Sequence, residues 1–320
     1  MEQRIKAADF PFFPRVFLVG APRCGTTSIS KSLARHPQIC FSRPKELNYF
    51  THADADSHAK IQQEYLDRYF AHCDPETHCA LGEGSVTYLY DPDAIRRILS
   101  VQPEARFVVA VRNPIDMLRS YHFRLLFLLE EDEPDFERAW SLQEARLRGE
   151  HIPKRCSDPR RLRYRDVASL GGLVERLIGL AGRERCHVVV NEDLKARPLE
   201  TYRELLRFAG VDDGMATLSA AGLTRFPHRL KSRSYRWRWL QTLLYKPPAA
   251  VFKAVERGEI DRGVRPLRLK QLHKRLLRLN LVQREPPPFS PDLRAMLHEA
   301  FADDIRKLER TLGRSFAHWC

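Results

Sequence analysis

Arginine, glycine and hydroxyl side chains crowd into the stretch Gly20-Ala21-Pro22-Arg23-Cys24-Gly25-Thr26-Thr27-Ser28. Their order suits the binding of a phosphate-like anion. Gly20 and Gly25 allow a tight turn, and Thr26, Thr27 and Ser28 bring hydroxyl donors. Arg23 brings a full positive charge. If a helix starts just after Gly25, its first amides have no partners inside the helix. Its dipole then adds about half a positive charge at the same point. A plain strand-to-helix turn would need none of these residues together.

Two further clusters could act on what such a loop holds. Arg112-Asn113-Pro114 follows an apolar run, and Ser120 comes eight residues after Arg112. An arginine fork plus a hydroxyl fits a terminal phosphate monoester; the plain alternative is a capping Arg and a buried Ser. The second cluster is Pro44-Lys45-Glu46-Leu47-Asn48. A transfer to a hydroxyl needs a base as the new bond forms. Partial burial would lift the Glu46 carboxylate toward a useful pKa. Lys45 would face the transferred group, or else simply pair with Glu46 on the surface.

The elements that must position these residues follow from patterning. Val16 to Gly20 reads as a short buried strand, and a helix follows through Ile29 and Leu33. Gln38 to Phe41, Ala80 to Glu83, Arg106 to Val111 and Cys186 to Val190 read as further strands. The run from Arg106 to Val111 is continuous and apolar, as in a strand covered on both faces. Helices are expected near residues 61–69, 92–99, 115–129, 170–180 and 198–209, with a last one from Pro291 capped by Ser290. Strands alternating with helices imply a doubly wound parallel sheet. Glu130 to Arg165 is highly charged and weakly patterned, and Thr224 to Val264 is basic and aromatic.

Composition sets the outer limits. The 320 residues carry 54 basic and 41 acidic side chains, a net charge of +13, which suits a polyanionic ligand without choosing among them. No apolar run reaches membrane-spanning length, and no apolar leader follows Met1. The seven cysteines stand singly, without CxxC spacing. That argues against a disulfide framework and a zinc site, though Cys73 and Cys79 are close enough to pair. The expectation is a reducing, cytoplasmic setting and no metal.

The Gly-x4-Gly spacing matches a nucleotide-binding P-loop, but Thr26 stands where such a loop carries its lysine. Gly20 to Ser28, followed by His36-Pro37, instead resembles the phosphosulfate loop of sulfotransferases. These use 3′-phosphoadenosine-5′-phosphosulfate (PAPS). The resemblance implies that Arg23 touches the bridging oxygen and the sulfuryl group, with Cys24, Gly25, Thr26, Thr27 and Ser28 around the 5′-phosphate. Arg112 and Ser120 match that family's 3′-phosphate motif. Glu46 matches the proposed base of the heparan-sulfate-type branch, with Asn48 in place of a histidine.

Glu83-Gly84-Ser85-Val86-Thr87-Tyr88 resembles the same branch's Glu-Lys-Thr-Pro-x-Tyr, with Gly84 where the lysine stands. Its missing charge shifts work to Arg23 and Lys45; Ser85 serves either the ligands or a turn. Val190-Asn191-Glu192-Asp193-Leu194 and Leu312-Gly313-Arg314 through Trp319 are similar to two further elements of the family. A late basic loop commonly closes over the nucleotide, which nominates Lys231 and Arg233; a solvated basic face is the alternative.

The expected fold is α/β and P-loop-like, three layers with a central parallel sheet flanked by helices. One domain would span 1–320, with a core at about 14–215 and a basic, helical cap at about 216–320. The expected function is sulfuryl transfer from PAPS to a hydroxyl of a small-molecule or glycan acceptor, in a bacterial setting and without nucleic acid. Two other readings stay open. A P-loop nucleotide or sugar kinase would need magnesium and ATP. A basic nucleic-acid-binding protein would have no use for Arg112.

Overall fold

A computed structural model describes residues 13–52, 58–220, 232–245 and 275–319. Five strands make a parallel sheet: β1 (Val16–Gly20), β2 (Ile39–Phe41), β3 (Ala80–Gly84), β4 (Arg106–Val111) and β5 (Cys186–Val190). Their spatial order is β2-β3-β1-β4-β5. β1, β2 and β3 are buried at every position, β1 and β2 as apolar runs and β3 with the carboxyl of Glu83 among its buried side chains. β5 lies at an edge and leaves His187 and Val188 half-buried.

The order fixes where a ligand can sit. From β1 the chain passes to β2 on one side of the sheet, and from β4 it passes to β5 on the other. The connections therefore diverge between β1 and β4. In open α/β sheets this divergence leaves a crevice outside the carboxyl ends of the strands. The loop after β1 and Arg112 after β4 flank that crevice.

The described residues fall into two compact units. One holds the sheet and comprises residues up to 117, 166–220 and 295–319; the other comprises 118–165, 232–245 and 275–294. In the first, aromatic rings from Phe13, Phe17, Phe50 and Tyr65 cluster with centroids 5.1–6.3 Å apart. The helix Leu170–Ala181 has no cap of its own. The Asp304 carboxylate accepts from the Gly171 and Gly172 amides at 2.8 Å each, satisfying that helix's first donors.

The second unit contains short helices at Phe136–Ser141 and Gln143–Leu147 within the charged stretch that had no clear pattern. Its interior is partly ionic. Arg146 donates to both oxygens of Glu131 at 2.8 Å, and the two side chains are 1% and 0% exposed. The Tyr164 hydroxyl donates to the same carboxylate at 2.6 Å. Phe136 stacks on Phe289 with centroids 4.5 Å apart. Farther along, β6 (Arg233–Tyr235) pairs antiparallel with β7 (Leu281–Gln283).

The cysteine expectation is corrected. Cys40 on β2 is bonded to Cys73, 33 residues on, and Cys79 is free and exposed. The bond joins the edge strand to the turn that follows the helix His58–Tyr69. It is a contact of tertiary structure that no local spacing announces. It also withdraws the cysteine argument for a reducing compartment. His72 Nε2 lies 3.4 Å from Cys40 Sγ. Among the described residues, no helix is long and apolar enough to cross a membrane.

Candidate active site

The loop after β1 leads into helix α1 (Thr26–Leu33). Gly25 sits at the helix boundary with φ 102°, a region open to glycine at little cost. A Cβ there would lie 2.9 Å from Asn191 Nδ2. No side chain caps α1, and no acidic residue stands in its first turn. The Thr26 and Thr27 amides therefore face the crevice end with the dipole behind them. Thr26 is buried, Ser28 half-buried and Thr27 exposed. Arg23 is half-buried with φ 63°.

The buried Cys24 thiol donates to the Pro22 carbonyl at 3.5 Å. Burial pushes that thiol up to about 12, although Arg112 and Arg23 pull the other way. The same influence places Arg112 beside this loop. Asn191, at the end of β5, donates from Nδ2 to the Cys24 carbonyl at 2.9 Å and braces the loop from the far side. Asn191 stands within the family-like element Val190 to Leu194, and its position at a strand's carboxyl end is the signal that marks it.

Arg112 is held from behind. Its neighbour Asn113 donates from Nδ2 to the Trp319 carbonyl at 2.9 Å, and Arg314 pairs with Asp193, with Nη2 to Oδ1 at 2.9 Å. The two late motifs thus meet each other and steady the turn after β4. The Arg112 side chain is 15% exposed, and Nη2 reaches Asp116 at 3.4 Å. Its Nε is buried with no hydrogen-bond partner. A buried, unsatisfied guanidinium donor is costly unless something accepts from it. An anion in the crevice would satisfy it.

Lys45 and Glu46 lie beyond the end of β2, two strands from β1, in a loop tied to β3. The Glu46 amide donates to the Gly84 carbonyl at 2.8 Å, and the Val86 amide donates to Glu46 Oε2 at 3.0 Å. Lys45 Nζ pairs with Glu46 Oε1. Lys45 also crosses Gly84: a Cβ at Gly84 would meet Lys45 Cε at 3.3 Å. A lysine from the neighbouring loop therefore runs over the position where the resemblance expects one.

The sheet brings Arg23, the α1 terminus, Lys45, Glu46 and Arg112 to its carboxyl edge. With neighbouring strands about 4.8 Å apart, β2 and β4 stand about 14 Å from each other across that edge. Ser120 is buried on the helix Pro114–Leu128, among the residues of the second unit. Arg233 is exposed at the start of β6 in that same unit. Lys231 lies outside the described residues.

Known proteins share this fold. A solved sulfotransferase from Alicyclobacillus acidocaldarius superposes with a TM-score of 0.63 at 22% identity, covering 96% of this chain and 99% of that one, which shows the common fold. In sequence the chain is similar to the membrane-associated sulfotransferase kil1 of Dictyostelium discoideum, 26% identical over 125 residues. It is also similar to the bifunctional heparan sulfate N-deacetylase/N-sulfotransferase 1 of Caenorhabditis briggsae, 24% identical over 119 residues. These matches cover 39% and 36% of this chain and span only 26% and 13% of the two relatives. The sulfotransferase domain matches residues 13–220, about two thirds of the chain, and the protein belongs to that family.

Proposed function

We propose that the protein transfers a sulfuryl group from PAPS to a hydroxyl of a small-molecule or carbohydrate acceptor. The observation that carries this reading is the pairing of an uncapped helix terminus with a buried, unpartnered Arg112 Nε across one crevice. One end suits a phosphosulfate and the other a phosphate monoester, so a nucleotide with both is favoured over ATP. PAPS supplies an activated sulfuryl group on a good leaving phosphate.

The residues divide the labour. Arg23 and the first amides of α1 stabilise charge that develops on the bridging oxygen, as preorganised donors do. Glu46 accepts the acceptor's proton. Its Oε2 is held by Val86 while Oε1 is covered by Lys45. Once Glu46 takes up the proton, its hold on the Lys45 ammonium weakens, and the ammonium is free to face the sulfuryl oxygens. Arg112 grips the 3′-phosphate, with Ser120 its proposed helper, and Lys231 and Arg233 are proposed to close over the nucleotide.

The test is thermal stabilisation by PAP, the desulfated product of PAPS, against ATP, with and without magnesium. A ligand at one hundred times its dissociation constant adds about 2.7 kcal/mol. Metal-independent stabilisation by PAP, lost in Arg112→Ala, is expected. Stabilisation by magnesium and ATP alone would replace this reading with a kinase.

A further inference from the structure

Beneath the loop that carries Lys45 and Glu46 lies a carboxyl group that the chemistry above does not use. Glu83, near the end of β3, is fully buried. A carboxylate taken out of water needs partners for its charge. Its partners here are hydroxyls. Tyr65 donates to Oε2 at 2.6 Å, and Ser85 donates to Oε1 at 2.5 Å. The Tyr88 hydroxyl is a third neighbour, and Glu46 is the charge that faces it from the loop above. Lys45, also on that loop, crosses the adjacent Gly84.

Ser85 relays this arrangement upward. A hydroxyl has one proton, and Ser85 gives it to Glu83. Its oxygen then accepts from the Asn48 amide at 3.0 Å. Asn48 in turn accepts at Oδ1 from Thr87 at 2.6 Å and donates from Nδ2 to the Glu46 carbonyl at 3.3 Å. Both Glu46, with φ 67°, and Asn48, with φ 51°, occupy the left-handed region that residues with a Cβ disfavour. Such backbones persist where the surroundings over-determine them. Here the surroundings are the end of β3 and the buried carboxylate behind it.

We propose that Glu83 is a positioning residue: by fixing the Ser85 hydroxyl it orients the Asn48 amide and so holds Glu46 in its left-handed conformation at the crevice. This rests on the reading of Glu46 as the base. Ionised, Glu83 accepts from both hydroxyls at once. Protonated, it must donate through one oxygen, and the hydroxyl on that side has to turn. Burial pushes Glu83 up to about 7, against the pull of the Ser85, Tyr65 and Tyr88 hydrogen bonds. The brace therefore tightens as pH rises through neutrality.

Hydrogen exchange of the peptide 42–50, read by mass spectrometry from pH 6 to 8 and corrected for intrinsic rates, tests this without knowledge of the acceptor. In the wild type, protection at Asn48 should rise with pH. In Glu83→Gln, which keeps the shape, protection should be independent of pH and about tenfold lower, the loss of one hydrogen bond of ordinary net strength. Ser85→Ala should match it. PAP stabilisation should survive in both variants, which shows that they fold. Protection in Glu83→Gln equal to wild type, with the same pH dependence, would overturn the proposal. Failure of the base reading shows elsewhere: Glu46→Gln would turn over PAPS at the wild-type rate while the exchange pattern stood.

Discussion

Two fully buried glutamates, one in each unit, end in opposite states. Glu83 is surrounded by hydroxyls, and burial wins, raising its carboxyl to about 7. Glu131 feels the same push from burial, but the Arg146 fork and the Tyr164 hydroxyl outweigh it and leave the carboxyl below its ordinary value. A neutral cage can share hydrogen bonds with either protonation state, so its carboxyl stays responsive near neutral pH. A guanidinium fork admits one state only. The first arrangement lies under the proposed catalytic loop; the second joins the chain near Glu131, Arg146 and Tyr164 inside a unit whose interior is unusually polar.

Arg146→Ala leaves Glu131 buried without its counter-charge and should cost about 3–5 kcal/mol in urea unfolding. A loss below about 1 kcal/mol would mean that water reaches the pair and that the two glutamates are not so different.

The pH dependence of stability should carry opposite signs. A raised pKa means that the folded state holds the Glu83 proton more tightly than the unfolded chain does. Its contribution is present in mild acid and lost as pH rises through about 7. The depressed pKa of Glu131 contributes at neutral pH and is lost only as pH falls into the acid range. Melting curves from pH 5 to 8 should therefore show a decline that Glu83→Gln flattens. An unchanged decline would assign it to another group. The smallest effect is expected from Tyr164→Phe, which removes one hydrogen bond from an anion that keeps its arginine, about 1–2 kcal/mol.

What could be read from sequence was what is local. The loop from Gly20 to Ser28 and the run from Phe107 to Val111 declare themselves because turn chemistry and continuous burial leave residue-by-residue marks. The last helix, Pro291–Leu312, shows its stripe and its Ser290 cap, whose hydroxyl accepts from the Leu293 amide at 3.2 Å. The stretch from Glu130 to Arg165 was illegible because its core is charged. Glu131 and Arg146 look like surface residues until they are seen to pair. Lys45 passing over Gly84, and Cys40 meeting Cys73, join segments far apart in the chain, and neither partner's neighbours hint at the other. Glu83 was visible as part of a motif, but its hydroxyl cage is assembled from a helix and a turn.

The bond between Cys40 and Cys73 also changes the covalent topology of the molecule. The chain between them is a closed ring, and Lys45 and Glu46 are carried on it. A single protease cut inside the ring would yield two polypeptides that still migrate as one species until a thiol reductant is added. The loop that carries Lys45 and Glu46 would then remain covalently tied, through β2, to the sheet that positions it.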